Sequence, residues 1–109
     1  MRYSTVSVNN VGLFIIAEVE EVCKRLMSHK GVEGVIIINQ EGIPIKSTLE
    51  KNATIHHSAH LHQVAQKAKS TIREIDPQNE LTFLRIRSNK HEILVAPGIS
   101  YRIIYTVGI

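Results

Sequence analysis

The chain has no tryptophan and a single cysteine, and aromatic residues make up only 5% of it. One cysteine, Cys23, excludes an internal disulfide framework and suits a reducing compartment. Few aromatics means few of the stacking platforms that a groove for single-stranded nucleic acid needs. Charge of one sign is scarce as well. Thirteen basic residues against 10 acidic ones leave a net charge of +3, too mild to imply a nucleic-acid partner. No apolar run approaches the ~20 residues of a membrane span, so insertion into a membrane is not expected. Catalytic patterns are missing too: no carboxylate pair, no Ser/His/Asp set and no glycine-rich cradle can be read from the order of residues. The chain is therefore expected to be non-catalytic and to carry no cofactor.

What is present describes one globular domain. Its 109 residues are 43% hydrophobic and 21% charged, enough to bury roughly 60–70% of the unfolded surface in a modest core. Residues 1–16 stand apart. Met1 to Asn10 carries one charge, Arg2, and a short apolar run follows from Val11 to Ala17. The thin charged region and short apolar run fit a targeting segment less well than a flexible tail or an extension of the first helix. The domain is placed at residues 17–109.

Ala17 to Lys30 is read as a helix, because Val19, Val22, Cys23 and Leu26 recur at helical spacing. Gly31 ends it. Gly34 to Asn39 is a buried strand, and Ile43 to Thr48 is a second strand that Pro44 confines to an edge. Asn52 to Ile75 is a long helix with His57, Leu61, Val64, Ala65, Ala68, Ile72 and Ile75 on one face. Pro77 stops it. Glu80 to Arg87, Glu92 to Ala96 and Tyr101 to Val107 are three further strands, the last apolar on both faces and so central. Two strands, a helix and three strands after a first helix give an α+β fold, a five-stranded antiparallel sheet with helices packed on it.

Several short patterns have an ordinary structural reading. Gly42-Ile-Pro-Ile-Lys-Ser-Thr48 echoes the end of a phosphate loop, but Ile45 stands where a glycine is needed and Pro44 removes an amide. Gly31-Val-Glu-Gly34 has the spacing of an RNA-clamping loop without its basic neighbours. The histidines His56, His57, His60 and His62 cluster at the start of the long helix. His56 and His60, four apart, could meet on one metal, yet no further ligands complete a set, and no metal site is assigned. His57 on the packed face is a candidate pH-sensitive contact. Arg85 and Arg87 share one face of the third strand, a solvated face or a contact for an acidic partner.

A denser pattern remains. Ala17-Glu-Val-Glu20, Gly42 to Thr48, Ala68-Lys-Ser-Thr-Ile-Arg73, Ile75-Asp-Pro-Gln-Asn-Glu-Leu-Thr-Phe-Leu-Arg-Ile-Arg-Ser88 and Glu92-Ile-Leu-Val-Ala-Pro97 closely resemble the roadblock-type light chains of cytoplasmic dynein. That resemblance implies a roadblock/profilin-like sheet ordered 2-1-5-4-3. It also implies a homodimer, or a heterodimer with a paralogue, in which the third strand and second helix of two copies form one continuous sheet. His57, Leu61, Val64, Ala68, Ile72, Leu81, Phe83, Arg85 and Arg87 become the candidate interface. An open strand edge that needs a partner argues independently for the same pairing. The resemblance further implies a dynein intermediate chain as partner, a role in microtubule-based transport, and a cytoplasmic, cytoskeleton-associated location. Related roadblock folds act instead as scaffolds and activators of small GTPases, which is the alternative function.

Overall fold

A computed structural model of the chain describes residues 10–97 and 101–108. Its elements are α1 (Asn10–Met27), β1 (Val32–Asn39), β2 (Pro44–Ser47), α2 (Lys51–Ile75), β3 (Leu84–Arg87), β4 (His91–Pro97) and β5 (Tyr101–Gly108). The strands form one antiparallel sheet in the order β2-β1-β5-β4-β3. The expected fold class and strand order are both present. Pro44 lies on an edge strand, and β5 lies between β1 and β4.

Both faces of the sheet are covered, and this explains the unbroken run Val35-Ile36-Ile37-Ile38, all buried. A strand with one wet face would alternate; one sandwiched between helices need not. Val35 and Ile37 face α1 and pack with Val19, Val22, Cys23 and Tyr101. Ile36 and Ile38 face α2 and pack with Leu61, Ala65, Val95 and Ile104. At about 1.5–3 kcal/mol for each large aliphatic side chain removed from water, these two half-cores are the main favourable term. Polar ties fix α1 in place: the Tyr101 hydroxyl donates to Glu18 Oε1 at 2.9 Å, and Lys46 Nζ lies 3.7 Å from Glu20 Oε1. Burial pushes the Cys23 thiol up, so the chain's one cysteine is a packed hydrophobe, not a nucleophile.

Several boundaries differ from expectation. Helix α1 begins at Asn10, not Ala17. No proline interrupts Val11 to Ile16, so the apolar run continues the helix. Residues 1–9 of the expected extension lie outside the described residues. The helix also ends early, at Met27. Ser28 turns its own amide and hydroxyl onto the Arg25 carbonyl, and Gly31 takes the left-handed φ of 89° that closes the turn.

The packed face of α2 is rotated from the expected one. Its buried residues are Thr54, Ser58, Leu61 and Ala65. Two hydroxyl residues lie on the core side because β2 supplies a partner for one of them. Ser47 Oγ and Thr54 Oγ1 are 2.6 Å apart, and Thr54 Oγ1 also lies 3.2 Å from the Leu49 carbonyl. A stripe defined by hydrophobicity alone passes over such positions. Val64 and Ile75, placed on the packed face by periodicity, are 42% and 77% exposed.

Strand β3 is the largest difference. Glu80 to Arg87 reads as one strand, but only Leu84–Arg87 pairs with β4. The register pairs Leu84 with Val95, which would set Thr82 opposite Pro97. Pro97 has no N–H to donate, and the ladder stops before it. Glu80 to Phe83 are left without a strand partner.

Candidate functional site

The corner between α2 and β3 is built by local hydrogen bonds. The Asp76 amide closes α2 on the Ile72 carbonyl at 3.0 Å. Asp76 Oδ1 then accepts from the Gln78 amide at 3.1 Å, and the Asp76 carbonyl accepts from the Asn79 amide at 2.9 Å. Arg73 Nη1 reaches back to the Asn79 carbonyl at 3.3 Å. Proline at 77 is compatible with this turn because no partner needs its amide. The corner folds the segment after α2 back beside the helix.

That return creates a shallow apolar groove of about 480 Å³. Val64, Lys67, Ala68, Thr71 and Ile72 line it from α2, and Leu81 and Leu84 from the returning segment. Phe83 lies beyond, 44% exposed. Beside the groove runs the free edge of β3. The Ser88 amide donates to the His91 carbonyl, so by strand alternation the amides of Ile86 and Leu84 also turn toward β4. Those of Arg85 and Arg87 then turn outward, leaving unpaired backbone donors next to exposed apolar surface. Arg85 and Arg87 place charge on this edge, but the apolar groove beside it is left uncovered by the chain itself.

The interface residues expected from sequence fall into separate places. Val64, Ala68, Ile72 and Leu81 meet around the groove. Leu61 is buried in the core of the single chain, 6% exposed. His57 lies apart, its Nδ1 2.8 Å from the Ala53 carbonyl. It lines a different cavity of about 340 Å³ with Glu33, Leu49, Ser88, His91 and Ile93. Arg85 and Arg87 are exposed on the sheet face away from α2, and Arg85 Nη2 bonds Glu92 Oε1 of β4 at 2.9 Å.

Sequence reading passed over Arg102. It is 4% exposed on central strand β5, and its bonded partners in α2 are uncharged. Its Nη2 donates to Gln66 Oε1 at 2.7 Å, and its Nη1 lies 3.3 Å from His62 Nδ1. Only alternation with Ile104 and Thr106 hints at its inward direction. A guanidinium cannot accept, so His62 Nδ1 must, which requires the neutral ring. The ring lies on Gly42, whose φ is 89°; a Cβ there would come within 2.6 Å of it.

Burial first and Arg102 second push the His62 pKa below its ordinary value. The fold thus favours the neutral imidazole. This contribution is complete above the unfolded value of about 6.5 and is lost as pH falls below it. Tm should fall between about pH 7.5 and 5. The fall should be smaller in His62→Gln, whose oxygen can still accept from Arg102. Thermal melts with the same slope in both proteins would exclude His62 as the source.

The motif Gly42 to Thr48 proves structural. Gly42 makes the left-handed turn, Ser47 Oγ accepts from the Leu49 amide at 2.9 Å, and Thr48 Oγ1 accepts from the Val35 amide at 2.9 Å. Pro77 and the Asp76 turn likewise serve the corner. Two of the stretches that resemble dynein light chains, Gly42 to Thr48 and Asp76-Pro77, thus have structural roles in turns.

At least three solved structures share this fold. The chain superposes on a Roadblock/LC7 domain from Streptomyces avermitilis with a TM-score of 0.70, at 9% identity, over 76% of this chain and 71% of that one. It superposes on MglB of Myxococcus xanthus with a TM-score of 0.69, at 15% identity, over 84% of this chain and 76% of that one. An MglB structure described as having a tetrameric arrangement gives 0.74, at 9% identity, over 99% of this chain and 80% of that one. The first two come from bacteria, and none of the three is described as a dynein light chain. They overturn the expectation of a dynein light chain, and with it the intermediate-chain partner and the role in transport. A family model described as the Roadblock/LC7 domain matches residues 18–107. With that match over nearly all of the described fold, and with its strand order in place, the chain belongs to the Roadblock/LC7 domain family.

Proposed function

We propose that this chain is a non-catalytic, roadblock-type scaffold or regulator of a small GTPase, working as an assembly of its own copies. The observation that carries the reading is the open β3 edge lying beside the apolar groove of α2. A second copy related by a twofold axis would pair β3 with β3 and cover both grooves at once. Val64, Ala68, Ile72, Leu81 and Phe83 would supply the apolar contact, and the outward amides of Arg85 and Arg87 the ladder. His57 and Leu61 would act from within each copy. The tetrameric arrangement described for MglB supports self-association as a habit of this fold.

Regulation would come from docking and not from supplied catalytic groups. Family membership and the structural neighbours favour this over the motor reading. Among the described residues no helix is long and apolar enough to cross a membrane. The buried free thiol of Cys23 suits the reducing cytoplasm, where we place the protein. The test is nucleotide turnover and exchange by small GTPases from the same cell, with and without the purified chain. A saturable change in either rate, together with co-elution of the two proteins, is the expected result. A panel of such GTPases that neither binds nor changes its rates would refute the reading.

A further inference from the structure

We propose that His56 and His60 form a two-imidazole binding site for a late first-row divalent metal, of the class Cu(II), Ni(II) or Zn(II). The inference is independent of the GTPase reading. The residues lie four apart within α2, well inside both ends of the helix. Four residues advance the chain by about 6 Å and return to nearly the same side. The two rings are already in contact, with centroids 4.6 Å apart and planes at 76°. Rotation about side-chain bonds is the only change needed to point one nitrogen of each at a common ion.

The other histidines of this helix are engaged, and these two are not. His57 Nδ1 contacts the Ala53 carbonyl, and His62 Nδ1 accepts from Arg102. No protein hydrogen bond to either His56 or His60 occurs among the described residues, and both are exposed. Their ring nitrogens are therefore open to an ion arriving from solvent. The helix beneath them is held at its start by Glu50, whose Oε1 accepts from the Ala53 amide at 2.8 Å. Little order is lost when such a pair binds, because the backbone already fixes the spacing.

The donor set chooses the metal class. Imidazole nitrogens favour copper, nickel and zinc, with Cu(II) highest in the affinity order, and discriminate against calcium and magnesium. Among the described residues no group of three His, Cys, Asp or Glu side chains is placed to hold an ion. Water must fill the remaining positions, so the site is open and exchangeable and not a folding element. It would also clamp one turn of α2 directly before Val64, where the groove begins.

The test uses the full chain without a histidine tag, titrated separately with Cu(II), Ni(II) and Zn(II) by calorimetry. One equivalent per chain is expected, tightest for Cu(II), with a Tm that rises as metal is added. His56→Ala and His60→Ala should each weaken binding by at least about tenfold and remove the rise in Tm. Both positions are exposed and helical, so alanine should leave the fold intact, as circular dichroism would verify. His29→Ala, an exposed histidine outside α2, should bind like the unmodified chain. No uptake by the unmodified chain up to about 1 mM metal would overturn the proposal. So would unchanged affinity in the two alanine variants.

Discussion

Arg85→Pro is expected to abolish self-association and leave the single chain folded. The Arg85 amide turns away from β4, so proline there removes no bond of the internal ladder. Proline also confines the preceding residue, Leu84, to the extended region, which a strand already occupies. The substitution gives up the Arg85–Glu92 pair, but Arg85 is so exposed that the pair contributes little. What disappears is the outward donor, and the pyrrolidine ring blocks the approach of a second strand. Light scattering at micromolar concentration should show a multiple of the chain mass for the unmodified protein and the chain mass for the variant. A variant that still associates would place the contact elsewhere on the surface. An unmodified protein that is monomeric at that concentration would remove self-association from the proposed function.

Ile37→Ala combined with Ile104→Ala is expected to unfold the protein or nearly so. Ile37 packs in the half-core under α1, and Ile104 in the half-core under α2, at 0% and 1% exposure. Each truncation removes methyl groups from a site with no slack and should cost about 2–5 kcal/mol. Their side chains lie in separate clusters on opposite faces of the sheet, so much of the two effects should add. Their positions, one register step apart on paired strands, leave room for coupling through the backbone. Together they rival the whole stability of a domain, about 5–15 kcal/mol. Urea melts of the two single variants and the double would show it. A double variant no less stable than the worse single would mean that the half-cores share their strain through the sheet.

Much of the fold was legible because several local signals agreed. Pro44 marked an edge strand, the unbroken Val35 to Ile38 marked a strand covered on both faces, and Pro77 marked a helix end. What escaped depended on contacts distant in sequence. The inward turn of Thr54 depends on a hydroxyl from Ser47, and the burial of Arg102 depends on Gln66 and His62. Neither arrangement has a periodic signature. The length of β3 escaped for another reason: a strand ends where its neighbour stops donating, and that limit is set by Pro97 rather than by residues 80–83. The groove was half legible. Val64, Ala68 and Ile72 follow from helical spacing, but the turn that returns Leu81 beside them depends on Asp76 and Asn79. The partner was misread because it was inferred from stretches that include a corner and a turn, Asp76-Pro77 and Gly42 to Thr48, whose observed contacts lie within the chain.

Pro44 also bears on how far an assembly could grow. A sheet with two receptive edges can recruit copies at both ends and lengthen without limit. The two outer strands here, β3 and β2, are equally short, but β2 begins with an imino acid and so has one backbone donor fewer to offer. Copies joined through β3 would therefore leave the poorer edge, with its proline, at both outer margins. Any larger assembly would have to use that poorer edge or stack such pairs through their helices.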